Sequence, residues 1–124
     1  MKLVIAGTRD FNLRVKDLEH FIEMFELQHK IRTVISGGAK GVDAAAELLA
    51  KASYESVVVP ADWDMYGNKA GPIRNAKMAA QGDALLLIWD GSSPGSKSMK
   101  WEMVKLNKPI YEVVLRSFNV KNVR

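Results

Sequence analysis

Short apolar runs alternate with amphipathic segments along the chain, and this alternation restricts the folds that the chain can adopt. The run from Ala84 to Trp89 is continuously apolar, as expected for a strand buried on both faces of a sheet. Leu18, Phe21 and Ile22 instead have the i, i+3, i+4 spacing of a helix. Strands that alternate with helices in this way predict an α/β fold with a parallel sheet.

The pattern predicts five strands and four helices in one domain of residues 1–116, followed by a short polar C-terminal tail of residues 117–124. We expect strand order 3-2-1-4-5, helices on both faces and right-handed crossovers. The predicted strands are Lys2–Ala6, Ile31–Ile35, Ser56–Val59, Ala84–Trp89 and Pro109–Leu115, and the predicted helices are Leu13–Gln28, Val42–Ala52, Pro72 to about Ala80, and Lys97–Leu106.

The composition excludes several classes of protein. The chain has no cysteine, which rules out disulfides and thiolate chemistry and fits an intracellular protein. No apolar run approaches the ~20 residues needed to cross a bilayer, and the N-terminus reads as a strand rather than a signal peptide. We therefore expect a cytoplasmic protein with no membrane partner. The net charge of +4 suits a nucleotide or, with weaker support, a nucleic acid.

The segment from Ser36 to Asp43 predicts an anion site, because glycines here connect an apolar strand to an Ala-rich helix. Glycines let the backbone approach a ligand closely, and a helix N-terminus favours phosphate. The spacing is neither that of a P-loop nor that of a dinucleotide fingerprint. Asp43 can alternatively cap the helix, and Lys40 can point to solvent. The predicted contacts are Ser36, Gly37, Gly38, Lys40, Gly41 and Asp43.

The other strand-to-helix loops should emerge at the same sheet edge, so distant residues are expected to share one crevice between strands 1 and 4. Arg9 can clamp a phosphate or can pair with Asp10. Trp63 and Tyr66 can stack on a base or can anchor their long loop, whose length is typical of a lid or an oligomer contact. The further predicted ligand-binding residues are Gly7, Thr8, Arg74, Asn75, Gly91, Ser92 and Ser96.

The sequence does not identify a catalytic set. Arg74 can hold a phosphate or stabilise a leaving group, and Glu102 is either a base or a surface carboxylate. Neither His20 nor His29 has a partner at metal-ligand spacing, so no metal is predicted, and no cofactor is predicted either. Cleavage of an N-glycosidic bond would require a carboxylate at the reaction centre. The candidates for that role are Asp10, Asp90 and Glu102.

Four motifs occur in order within about residues 3–107. They are Gly7-Thr8-Arg9-Asp10-Phe11, Ser36-Gly37-Gly38-Ala39-Lys40-Gly41-Val42-Asp43, Pro60-Ala61-Asp62-Trp63, and Gly71-Pro72-Ile73-Arg74-Asn75 with Met78-Ala79. Together they resemble the small YspA-type, YpsA-related members of the SLOG superfamily. That superfamily also contains the cytokinin-activating phosphoribohydrolases and the DNA-processing Smf/DprA proteins, and many of its members are phage-borne.

The resemblance implies a Rossmann-like, three-layer domain that binds nucleotides or their derivatives, with a homodimer as the expected oligomer. The phosphoribohydrolases carry Pro-Gly-Gly-x-Gly-Thr-x-x-Glu after strand 4. The corresponding segment from Ser93 to Glu102 lacks the double glycine and the Gly-Thr. Arg74 is the counterpart of the family's arginine, whereas Glu102 aligns only loosely with its glutamate.

Three functions are compatible with these observations. The first prediction is a module that binds a phosphorylated nucleoside or an NAD-derived small molecule. The alternatives are an N-glycosidic hydrolase acting on a nucleoside monophosphate and a protein that binds single-stranded nucleic acid. The altered loop after strand 4 favours binding over hydrolysis, and the sequence leaves open whether the chain is an enzyme.

Overall fold

The computed structural model describes residues 1–116 and has the predicted α/β fold around a five-stranded, entirely parallel sheet. The strand order is β3-β2-β1-β4-β5, as predicted. The predicted tail, residues 117–124, lies outside the described residues. The elements are β1 (Lys2–Gly7), α1 (Val15–Met24), β2 (Thr33–Ser36), α2 (Val42–Ser53), β3 (Glu55–Val58), α3 (Trp63–Tyr66), a 3-10 turn (Gly67–Lys69), α4 (Ala70–Gln81), β4 (Ala84–Trp89), α5 (Pro94–Lys105) and β5 (Ile110–Val114).

The strands β1 and β4 form the centre of the sheet because both of their faces are apolar. Every residue of β4 is buried, and Leu3 to Ile5 of β1 are fully buried. Helices α1 and α2 pack on one face, and α4 and α5 pack on the other. The two strands run in register from the pair Leu3 and Ala84 to the pair Gly7 and Ile88. Their carboxyl ends therefore lie side by side where the strand order reverses.

The bounds predicted for the first helix are wrong. The helix α1 ends at Met24 rather than Gln28, because Phe25 leaves helical geometry and Glu26 has a φ of 58°. Leu27 is nevertheless buried, so the apolar spacing continues beyond the end of the helix. No helix within residues 1–116 is long and apolar enough to span a membrane.

The segment before α4 was expected to be a polar loop, but it contains helical turns. Asp62 caps α3 by accepting a hydrogen bond on Oδ1 from the backbone N–H of Met65 at 3.1 Å. The 3-10 turn leads directly into α4, which begins at Ala70 rather than at Pro72. Every residue from 62 to 69 is exposed, so no apolar periodicity reveals these turns in the sequence.

Gly7 lets the end of β1 lie against β4 at the carboxyl edge of the sheet. A Cβ at this position would overlap the carbonyl oxygen of Ile88 and lie 2.8 Å from Cγ2 of Val42. The backbone N–H of Thr8 donates to that same carbonyl oxygen at 3.2 Å. The glycine is therefore required by the close approach of two backbones.

We expect Gly7→Ala to destabilise the protein by at least about 1–3 kcal/mol, because backbone atoms must move to admit the methyl group. The matched control is Gly95→Ala in α5, where an added Cβ meets nothing within 4 Å. Alanine favours a helix by up to about 1 kcal/mol over glycine, so the control should be neutral or stabilising. Urea denaturation measures both effects, and equal midpoints for the two variants would contradict this assignment.

Candidate functional site

The loops that follow β1 and β4 meet the N-terminal part of α4 in a crevice at the carboxyl edge of the sheet. The crevice encloses about 560 Å³. Its lining includes apolar side chains of β1, α4 and α5, namely Ala6, Met78 and Met99, and hydroxyl groups from the loop after β4 and the first turns of α5. The predicted site residues that line it are Gly7, Thr8, Arg9, Asp43, Arg74, Asn75 and Ser96.

A second hollow of about 520 Å³ adjoins the crevice and is formed mainly by the glycine loop after β2. Gly37, Gly38 and Lys40 line this hollow, together with Arg9 and Arg74, which also line the crevice. Gly41 instead borders a smaller hollow beside α2. The other predicted site residues line neither the crevice nor the second hollow; they are Ser36, Gly91, Ser92 and Glu102.

A buried pair of opposite charges holds the glycine loop. Arg74 and Asp43 are 9% and 5% exposed, respectively. Arg74 Nη1 donates a 2.6 Å hydrogen bond to the carbonyl oxygen of Gly37, and the backbone N–H of Ala39 donates to Asp43 Oδ2 at 3.3 Å. The guanidinium and the carboxylate thus act on the same short loop from two helices.

Burial governs the ionisation of both side chains. It raises the pKa of the Asp43 carboxyl, an effect that the Arg74 guanidinium and the N–H groups of Ala39 and Gly37 oppose. Burial also lowers the pKa of Arg74, and the nearby positive charge of Arg9 lowers it further, whereas Asp43 raises it. Asp43 therefore binds its proton more readily in the folded chain than an exposed aspartate does.

Each of the three loop glycines has a conformational or packing reason that needs no ligand. A Cβ on Gly37 would lie 2.5 Å from Arg74 Nη1 and 2.8 Å from Asp43 Oδ2. Gly38 has a φ of 74°, which favours glycine. Gly41 has a φ of 68°, and a Cβ there would overlap the loop after β1. Asp43 accepts a hydrogen bond from this loop, whereas the alternatives predicted for it were a ligand contact and a cap on its own helix.

Asn75, predicted as a ligand-binding residue, forms hydrogen bonds to the protein through both ends of its side-chain amide. Its Oδ1 accepts a hydrogen bond from Arg74 Nε at 3.0 Å. Its Nδ2 lies 3.2 Å from both the carbonyl oxygen of Gly95 and Oγ of Ser98, and donates to each. Both ends of the amide are engaged, and they join α4 to the start of α5.

Thr8 and Asp90 join the loops that follow β1 and β4. The Thr8 hydroxyl accepts from the backbone N–H of Asp90 at 3.1 Å and lies 3.3 Å from the Ser93 hydroxyl. Asp90 Oδ1 accepts from the backbone N–H groups of Ser92 and Ser93, and these bonds lower the pKa of Asp90. The loop after β4 is thus held internally, and its predicted ligands Gly91 and Ser92 lie outside the crevice.

The helix α5 presents its N-terminus to the crevice. It begins at Pro94, earlier than the predicted start at Lys97, and the side chain of its N-cap, Ser93, makes no capping hydrogen bond. The first N–H groups of a helix have no partner within it and carry a partial positive charge. The buried Ser96 lies in this first turn and lines the crevice.

Arg9 is the exposed cation of the site. Within residues 1–116 it forms no ion pair, with Asp10 or with any other carboxylate. It nevertheless lies close enough to Arg74 and Asp43 to lower the pKa of both. One arginine therefore supports the loop, and the other is free to meet a ligand.

Two further predictions concern the margin of the crevice. Glu102 does not line it and instead pairs with Lys105 at 2.7 Å, which removes the support for a catalytic role.

Trp63 is 50% exposed and lines both the crevice and the second hollow, whereas Tyr66 lines neither. Asn68 also lines the crevice, but it lies in the 3-10 turn, which the apolar pattern did not predict. Within residues 1–116, no cluster of acidic or histidine side chains is arranged to hold a metal ion.

No protein-family model matches the sequence, and no curated protein sequence is similar to it. The fold is similar to that of DNA processing protein A (DprA) from Streptococcus pneumoniae, with a TM-score of 0.67 and 18% sequence identity. The match covers 90% of this chain and 49% of that one, so this chain spans about half the length of that protein. The likeness confirms the Rossmann-like α/β fold. The narrower YspA-type assignment stays a prediction.

We expect the stability of the wild-type chain relative to Asp43→Asn to rise as the pH falls. Asp43 has a higher pKa in the folded chain than in the unfolded chain. Below the unfolded pKa the side chain is protonated in both states and costs no stability. As the pH rises through the folded pKa the buried side chain ionises, and the free energy of unfolding decreases. The change is about 1.4 kcal/mol for each unit by which the two pKa values differ. Chemical denaturation between pH 4 and 7 measures it. Asp64→Asn, at an exposed position of α3, is the control, and a difference that is constant across this range would contradict the assignment.

Proposed function

We propose that the crevice binds the phosphate of a phosphorylated nucleoside or of an NAD-derived small molecule. The observation that carries this proposal is Arg9, an exposed guanidinium without an ion pair in the described chain, at the edge of a crevice that also contains Arg74. Two neighbouring guanidinium groups repel each other, and an anion between them and the helix terminus removes that repulsion. Arginine meets phosphate through two parallel hydrogen bonds.

The N-terminus of α5 supports the same placement of the phosphate. Pro94 has no N–H, but the next two residues of the first turn of α5, Gly95 and Ser96, have N–H groups without a partner in the helix and line the crevice. The N–H of Ala39 in the glycine loop is instead directed to Asp43. The proposed phosphate position therefore lies between Arg9 and α5, and not in the glycine loop, which the sequence had predicted as the anion site.

The rest of the crevice suits a nucleoside. Its volume of about 560 Å³ lies within the usual range for small-molecule sites, roughly 300–1,000 Å³. Apolar atoms of Ala6, Met78 and Met99 line it, and Trp63 can contribute an exposed ring face at its margin. We assign the sugar and base to this region.

From the sequence, we also propose that the protein is a cytoplasmic homodimer.

We expect calorimetry to detect binding of AMP, NAD or ADP-ribose, and Arg9→Ala to weaken it by about tenfold or more. A hydrogen bond to a charged group contributes about 1.5–3 kcal/mol, and tenfold corresponds to about 1.4 kcal/mol. The matched control is Arg32→Ala, which removes an exposed arginine paired with Glu55. The control should bind like the wild type.

Arg9→Ala should also unfold at the same urea concentration as the wild type, because Arg9 is exposed and has no ion pair within residues 1–116. Arg74→Ala cannot serve in its place, since it would also remove the hydrogen bond that holds the glycine loop. The proposal fails if none of the three nucleotides binds, or if Arg9→Ala binds them as tightly as the wild type.

A second candidate is binding of single-stranded nucleic acid. The structural match is to a protein whose name describes DNA processing, and the exposed aromatic side chains Trp63 and Tyr66 lie close together in α3. Stacking of bases on aromatic rings and a positive groove are the usual basis of such binding. The net charge of +4 is consistent with it.

If the chain binds a strand, a labelled oligonucleotide should show raised fluorescence anisotropy at low salt and lose it as salt increases. Trp63→Ala should then weaken binding by about 1–3 kcal/mol, the contribution of one stacked base. Trp101→Ala, which removes an exposed tryptophan of α5 outside both hollows, is the control. Absence of binding at low salt would remove this candidate.

Hydrolysis has weaker support than binding. Asp43 and Asp90 accept hydrogen bonds from the backbone of their own loops, and Glu102 lies outside the crevice. Asp10 is the exposed carboxylate at the margin that has no such bond among the described residues. A single exposed carboxylate does not provide the pair that glycosidic hydrolysis ordinarily uses.

A further inference from the structure

The crevice and the second hollow share one wall, so they form a divided site rather than two separate ones. The residues that line both of them are Arg9, Asp10, Ala39, Trp63 and Arg74. The two volumes, about 560 and 520 Å³, are nearly equal, and each alone lies in the range of small-molecule sites. A single nucleoside monophosphate in the crevice would leave a hollow of similar size filled with water on the other side of Arg9.

The second hollow has its own polar chemistry. The glycine loop lines it, and at its margin Lys40 and Arg9 supply positive charge and Asp10 a negative charge. Within residues 1–116, neither of these two cations pairs with a carboxylate. Pro60 and Ala61 add a small apolar surface to the same hollow, on which a sugar or base can pack.

We propose that the crevice and the second hollow together bind a ligand of two nucleoside halves joined through a phosphate or pyrophosphate. This inference rests on the proposed function and narrows its ligand class. Arg9 contacts the bridge, because its side chain lies in the wall common to both hollows. One nucleoside occupies the crevice, the other occupies the hollow beside Lys40 and Ala61, and Trp63 lies between them.

Calorimetry with bridged and unbridged nucleotides tests the inference. The bridged ligands are NAD, diadenosine diphosphate and the dinucleotide pApA, and the unbridged ones are AMP and ADP, which control for phosphate charge. The bridged class should bind at least about tenfold tighter than AMP and ADP, since Lys40 and the apolar surface add contacts. Comparing the affinities of the pyrophosphate-linked ligands with that of pApA shows whether the site prefers a pyrophosphate or a single phosphate as the bridge.

Two variants locate the second half of the ligand. Ala61→Phe fills the second hollow, and Lys40→Gln removes its charge; each should reduce the affinity ratio of bridged to unbridged ligands at least about fivefold. The matched controls are Ala52→Phe at the exposed end of α2 and Lys16→Gln on the exposed surface of α1, which should leave the ratio unchanged. Asn68→Phe, in the crevice alone, should weaken both ligand classes together.

The outcomes separate this inference from the proposed function. If AMP binds and the bridged ligands bind no tighter, the inference is wrong and the proposed function stands. If no nucleotide binds, both are wrong. An affinity that continues to rise with strand length beyond two nucleotides also overturns the inference, in favour of a groove for a nucleic-acid strand. An unchanged ratio in both Ala61→Phe and Lys40→Gln would place the second half elsewhere and contradict the assignment.

Discussion

The hydrogen bond from Arg74 to the carbonyl oxygen of Gly37 is the interaction on which the rest of the crevice depends. It is short, at 2.6 Å, it is buried, and it joins α4 to the loop after β2 across 37 residues of sequence. A buried charged donor left without its acceptor would cost at least about 1–3 kcal/mol, so the loop and the guanidinium are ordered together. Asp43 completes the set by accepting from the loop and offsetting the charge of Arg74. The shape of both hollows follows from this arrangement.

A chain of polar contacts extends this order to the opposite wall. Arg74 Nε donates to Asn75, and Asn75 donates to the first two turns of α5. On the other side, the Thr8 hydroxyl joins the loop after β1 to the loop after β4. Most polar groups around the crevice are therefore committed to the protein itself. The side chains of Arg9 and Asp10 make no ion pair within residues 1–116, and the positive groups that remain for an anion are Arg9 and the N-terminus of α5.

The sequence predicted the parts of this structure that depend on apolar burial. The range of β4 was correct, because a continuous apolar run leaves no other place for Ala84 to Trp89 than the centre of the sheet. The convergence of the loops followed from the parallel strand order. The role of Asn75 could not be predicted, because its partners Gly95 and Ser98 lie on another helix. Asp43 bonds Ala39, only four residues earlier, but the sequence pattern alone does not distinguish this contact from a cap on its own helix. The helical turns from 63 to 69 were missed because every residue there is exposed.

The unequal roles of the two arginines decide how this site is to be understood. Both were predicted as phosphate contacts, since arginine has the same chemistry wherever it stands in the sequence. The two side chains differ in burial. Arg74 is buried and donates hydrogen bonds to Gly37 and Asn75, whereas Arg9 is exposed and forms no ion pair within the described chain. Because Asp43 offsets the charge of Arg74, Arg9 is the guanidinium of the crevice whose charge has no carboxylate partner within residues 1–116. The two arginines therefore have different roles: Arg74 shapes the crevice through its bond to Gly37, and Arg9 is the one to which we assign the contact with an anion.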